Sequence, residues 1–223
     1  MNQRHLRPLL AARFVRGATV ALAALAWTAV LLQLYLSLTL AVAGGKSVAA
    51  GLVIYLGFFT ILTNLLVGVT LTWPLLAPGS APGRFFARPS VLSGVTVSIL
   101  LVGLGYHFLL RQVWNPQGLQ LLADVLLHYA VPVLFAAYWW LAVPKASLRS
   151  TDALRWCLYP AAYLGYALIR GALLGSYPYP FIDRSVLGWG KTLLNAGGLL
   201  LACLVLGWLL IAVGRANRRD TRK

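Results

Sequence analysis

Four ionisable side chains of this chain fall inside long apolar stretches: His107, Asp124, His128 and Arg170. Thr60, Thr63, Asn64 and Asn195 are uncharged polar groups in similar stretches. Such groups are costly away from water, tend to face a bundle interior, and mark ligand sites, ion pairs or proton relays. Asp124 and His128 are four residues apart, so on a helix they share a face. Arg170 is a cation that suits an ion pair with Asp183 or Asp124, or an anionic ligand. Cys157 and Cys203 lack metal-ligand spacing and read as small buried hydrophobes. Three histidines and four carboxylates leave little for a metal site, and no cofactor is expected. The chain has no Gly-x-Ser-x-Gly elbow, His-Glu-x-x-His, Walker loop or Gly-x-Gly-x-x-Gly.

The elements that must position these groups follow from composition. The 223 residues are 60% hydrophobic and 10% charged, with mean hydropathy +0.79. An ordinary soluble domain carries about 25% charged residues. A bilayer solvates the apolar excess that water would not. The length holds roughly six spans with short loops and no sizeable soluble domain. The expected fold is therefore an all-α polytopic bundle in one domain, with helices over about 17–43, 50–76, 90–110, 119–143, 153–174 and 186–213. The first run follows Arg4, Arg7, Arg13 and Arg16, and Ala41-Val42-Ala43 has a cleavage-site look. It is much longer than the apolar region of a signal peptide, so a retained first helix is expected.

The net charge of +15 does not point to nucleic acid, because the basic residues flank the apolar runs. They read as orientation signals and as anchors for anionic lipid headgroups. With six helices, fourteen Lys and Arg residues fall on one side, in the N-terminal segment, the second-to-third loop, the fourth-to-fifth loop and the tail. Lys46, Arg111, Arg184 and Lys191 fall on the other. The bias places both termini in the cytoplasm, in a cell inner membrane.

Depth follows from the helical rise. Thr60 lies roughly 15 Å below the outer end of the second helix, and His128 roughly 14 Å below that of the fourth. The two are level, with Asp124 one turn above His128. His107 and Arg170 lie near the outer ends of their helices, and Asn195 about two turns into the sixth. The polar set thus gathers between midplane and outer surface, as a pocket opening outward would. Each member has a plainer role open to it. Thr60 and Thr63 can bond back to helix carbonyls. Asn64 can join two helices. His107 can sit at the interface, Arg170 can snorkel, and His128 can be structural. The loop Tyr177-Pro178-Tyr179-Pro180-Phe181 can be a rigid interfacial cap.

Phe58-Phe59-Thr60-Ile61-Leu62-Thr63-Asn64, Leu127-His128-Tyr129-Ala130-Val131-Pro132 and that loop together resemble a group of small bacterial six-helix membrane proteins. The group is distantly similar to the androgen-induced membrane protein family. The resemblance implies an intramembrane hydrolase of lipid esters, such as fatty acid esters of hydroxy fatty acids. It implies Thr60 as nucleophile and His128 as its base. Thr63-Asn64 depart from the eukaryotic pattern, which is more apolar or acidic there.

On this reading Asp124 orients the imidazole, and Asn64, Asn195, Arg170 or His107 support or bind substrate. The expected partners are membrane lipids and a fatty-acyl ester. Two other readings stand beside it. One is a non-catalytic lipid-binding protein, with Arg170 and His107 on an anionic headgroup. The other is a small transporter using Asp124, His128 and Arg170 as a relay, although no internal repeat is visible.

Overall fold

In lipid the backbone must satisfy its own polar groups, so apolar runs of this length fold as helices. The computed structural model describes residues 3–220, with side chains from 12 to 216. Among the described residues, six helices are long and apolar enough to cross a bilayer: Ala12–Ala43, Phe59–Leu76, Pro89–Leu110, Gly118–Ala142, Asp152–Leu174 and Arg184–Ala216. Among the described residues there is no strand. The chain is an all-α, multi-pass integral membrane protein. Of the basic residues counted for orientation, Arg4, Arg7, Arg218, Arg219, Arg222 and Lys223 lie outside the described side chains.

The elements run α1 (Gln3–Ala43), α2 (Val48–Tyr55), α3 (Phe59–Leu76), α4 (Ala81–Phe86) and α5 (Pro89–Gly105). A π-helical turn, Tyr106–Leu110, continues α5. Then come α6 (Gly118–Val125), a second π turn (Leu126–Ala130), α7 (Val131–Ala142), α8 (Asp152–Trp156) and α9 (Leu158–Leu174). A short 3-10 turn, Pro180–Ile182, precedes α10 (Arg184–Asp220). The spans alternate in direction, so the turns at 44–47, 111–117 and 175–183 share one end, called here the far end.

The surface is apolar where lipid would lie: Leu173 is 80% exposed and Leu194 74%. The interior holds polar groups, with Thr63, Asn64 and Ser93 fully buried. Small residues let backbones approach, as membrane packing requires without a hydrophobic drive between helices. Ala23, Ala26 and Ala29 form such a buried stripe on α1. α1 packs on α3 and α7, and α5 packs on α3, α7 and α10.

Besides the π turn that continues α5, three irregularities depart from the expected helices. The run 50–76 is not one helix: Leu56, Gly57 and Phe58 separate α2 from α3. The run 119–143 carries the π turn just before Pro132. A proline ring clashes with the carbonyl four residues back and leaves it without a donor. Here that carbonyl belongs to His128, and widening the turn moves it aside. It moves toward Gly103, where a Cβ would come within 3.0 Å of the His128 oxygen. The sixth helix breaks at Gly188, whose φ of 71° is left-handed.

Candidate functional site

The break at 56–58 leaves three carbonyls without helical partners. The Gly57 N–H bonds Ile54, and Ile61 bonds Phe58, so the oxygens of Val53 and Gly57 go unused. Leu56 loses Thr60 as its donor, because the Thr60 N–H goes to Tyr179. Irregular backbone at membrane depth persists only where protein satisfies it. One face of α9 does so. The Tyr163 hydroxyl donates to Gly57 O at 3.0 Å, and Tyr166 donates to Leu56 O at 3.3 Å. Arg170 Nη2 donates to Val53 O at 3.2 Å, and Nη1 to Ser176 O at 3.1 Å.

The break places Thr60 in the first turn of α3, where backbone N–H groups point outward with partial positive charge. The Thr60 N–H donates to the Tyr179 hydroxyl at 3.3 Å. Thr60 Oγ1 lies 3.3 Å from His128 Nε2 and 3.3 Å from Tyr179 Oη. On the other side of the ring, His128 Nδ1 lies 3.0 Å from the Asp124 carbonyl and 3.3 Å from its carboxylate.

These contacts fix the proton pattern of the neutral imidazole. Nδ1 faces two acceptors and no donor, so it carries the hydrogen. Nε2 then offers its lone pair to the Thr60 hydroxyl, which donates to it. Thr60 Oγ1 in turn accepts from Tyr179. Burial pushes the Tyr179 hydroxyl above the ordinary phenol range. Tyr179 therefore stays a protonated donor. The chain of donation runs from Tyr179 to Thr60 to His128 to Asp124.

The ring plane of His128 is held by Tyr106, stacked at 4.0 Å between centroids and 17° between planes. Both residues belong to the π turns, and such turns recur at functional sites. The loop that carries Tyr179 lies against α9 at Gly171, where a Cβ would stand 2.2 Å from the Tyr177 ring. Ile182 is fully buried and anchors the other side.

A cavity of about 420 Å³ lies over this cluster, lined by Thr60, His128, Asp124 and Tyr179 among others. Exposed Val113 and Trp114 place its mouth at the far end. A smaller apolar chamber of about 50 Å³ also touches Thr60 and Tyr179, and is walled by Phe59, Leu101, Val102 and Leu164.

The remaining polar residues singled out in the sequence are not in that cluster. Asn64 Nδ2 donates to Thr60 O at 2.8 Å and to Leu127 O at 3.2 Å. The Leu127 carbonyl is orphaned because the Val131 N–H bonds Leu126 and Pro132 has none. Asn195 Nδ2 donates to Phe181 O at 2.8 Å and holds the loop. His107 is exposed, and its Nδ1 lies 3.3 Å from the Tyr129 hydroxyl. Arg170 meets neither carboxylate considered for it, since Asp183 instead accepts from the Ser185 N–H at the start of α10. Thr63 meets the Tyr159 hydroxyl at 3.1 Å. Among the described residues, no three His, Cys, Asp or Glu side chains gather as metal ligands.

Sequence reasoning missed Tyr179, Tyr106 and the α9 clamp. The spacing of Tyr163, Tyr166 and Arg170 on one helical face was the available signal. No protein family, curated protein or solved structure matches the chain.

The clamp yields a stability prediction. Arg170→Met removes two charge-assisted bonds to carbonyls. The expected cost is about 3 kcal/mol, or roughly 10 °C in the melting midpoint in detergent. Arg170→Lys should restore only part of it, because one ammonium lacks the planar fork that spans both carbonyls. A midpoint unchanged in Arg170→Met would show that the break needs no clamp.

Proposed function

We propose that the protein is an intramembrane hydrolase of fatty-acyl esters with Thr60 as nucleophile. The observation that carries the reading is the continuous relay Tyr179–Thr60–His128–Asp124 at the start of a broken helix. The resemblance to the androgen-induced membrane protein family points the same way, and implies fatty acid esters of hydroxy fatty acids as a substrate class. The charge bias puts both termini in the cytoplasm of a cell inner membrane, so the cavity opens outward.

In this mechanism the Thr60 hydroxyl gives its proton to His128 Nε2 as Oγ1 attacks the ester carbonyl. The tetrahedral oxyanion takes hydrogen bonds from the Tyr179 hydroxyl and the Thr60 N–H, each of which turns to it from its resting partner, Thr60 Oγ1 for the hydroxyl and Tyr179 Oη for the N–H. As the C–O bond of the alcohol breaks, His128 returns the proton to the leaving oxygen. The acyl group is then on Thr60. A water gives its proton to His128, attacks the acyl carbonyl, and releases the carboxylic acid as Thr60 regains its hydrogen.

The test is to mix detergent-purified protein with p-nitrophenyl esters of short and long acyl chains. The expected result is a burst of nitrophenol with one acyl mass added to the peptide containing Thr60. A protein inert on every ester, with no adduct, would overturn the reading. The same cavity then supports a non-catalytic lipid-binding role, and a tightly copurified lipid would favour it.

A further inference from the structure

A second polar cluster lines the same cavity away from the relay. Gln120 Nε2 donates to Gln33 Oε1 at 2.8 Å, and Gln33 Nε2 donates to Ser37 Oγ at 3.2 Å. All three residues line the cavity. Gln120 precedes His128 by eight residues, about 12 Å along the helix axis. The cluster therefore stands one short chain length from the reacting atoms, toward the mouth. It keeps unused capacity, because each amide has two N–H donors and an oxygen with two lone pairs, and Ser37 has a hydroxyl hydrogen.

The charges around the cavity select further. Among the described residues, Asp124 and His128 are its only ionisable lining residues apart from Tyr106 and Tyr179, and no Lys or Arg side chain lines it. Arg111 sits in the turn at the mouth but is exposed and not in the wall. Arg170 spends its guanidinium on Val53 and Ser176. A free carboxylate in this space would meet Asp124 with no Lys or Arg side chain in the wall to pair with, Arg111 acting on Tyr106 only from outside it.

We propose that Gln33, Ser37 and Gln120 form a recognition site for the neutral, hydroxyl-bearing alcohol half of a lipid ester. This rests on the hydrolase reading for its place in a reaction, and departs from the acid-bearing substrates the family resemblance implies. The apolar walls at Phe58, Ile61 and Leu127 take hydrocarbon, and the amide cluster takes hydroxyl groups.

The test uses ligands that cannot be hydrolysed, so its outcome is separate from that of the hydrolase reading. Equilibrium titration of the full-length protein compares 1-O-hexadecylglycerol, a neutral ether, with hexadecanoate at a pH where the acid is ionised. The ether should bind about tenfold tighter or more. Gln33→Leu should weaken the ether about tenfold and leave hexadecanoate unchanged. Ser37→Ala, a milder change, should weaken the ether about threefold if Gln33→Leu folds poorly. The proposal is overturned if hexadecanoate binds as tightly as the ether. It is equally overturned if the variants weaken both ligands alike, which is what a mere contact between helices would give.

Discussion

Thr60→Ala and His128→Ala should each lower kcat for ester hydrolysis by about 10⁴-fold, and the double variant should be no worse than either. Members of one relay act as a unit, so removing the second costs nothing once the first is gone. The relevant contact is 3.3 Å between Thr60 Oγ1 and His128 Nε2. That is at the long end for a hydrogen bond, as is common before substrate binds. Neither change should unfold the bundle. The Thr60 backbone N–H keeps its bond to Tyr179 whatever its side chain. His128→Ala leaves the π turn, which answers to Pro132. Melting midpoints close to the wild type would establish this. Thr60→Ser keeps the hydroxyl and should retain measurable turnover. Additive losses in the double variant, or full activity in either single one, would remove Thr60 and His128 from the chemistry.

The six spans were legible because apolar length and flanking charge need only local sequence. The level placement of Thr60 and His128 was legible too, since helical rise converts residue number into depth. Their contact, by contrast, depends on two breaks in helices that periodicity reads as continuous. Within Ala50–Leu76 nothing marks Gly57 as the break before Pro74, since Gly51 and Gly68 disfavour a helix as much and lie inside α2 and α3. The gap at 56–58 exists because α9, more than a hundred residues later, supplies Tyr163, Tyr166 and Arg170 to its carbonyls. A sequence displays polar side chains but not the orphaned carbonyls they serve. That is why Arg170, Asn64 and Asn195 read as substrate groups, while the structure gives them to backbone. Pro132 was visible, but a proline can kink, break or widen a helix. The π turn packs the His128 oxygen against Gly103 of another helix, where a Cβ would stand 3.0 Å from it, and no local pattern displays that neighbour. Tyr179 was hidden for another reason: it sits in a loop without periodicity, and aromatic residues there fit an interfacial cap as well as an inserted hydroxyl.

Tyr179→Phe should therefore separate the two roles of that loop. The ring is buried against Phe58 and stacks on Phe181 at 5.0 Å, so phenylalanine keeps the packing. Only the hydroxyl is lost, and with it the acceptor for the Thr60 N–H. A single buried bond of this kind is worth about 1 kcal/mol, a few degrees in melting midpoint. The kinetic loss should be far larger. If the hydroxyl donates to the oxyanion, kcat should fall about 10²- to 10³-fold with KM nearly unchanged, since that bond strengthens only in the transition state. Burial keeps the phenol protonated, so no loss of activity should trace to Tyr179 ionising as pH rises through neutrality. A boronate that mimics the tetrahedral intermediate should lose affinity for Tyr179→Phe by a similar factor, while a non-reacting ether should not. If kcat stays within threefold of wild type, the loop is a packing element and the oxyanion must be held elsewhere. If KM rises while kcat holds, Tyr179 binds substrate in its ground state and adds nothing to the chemical step.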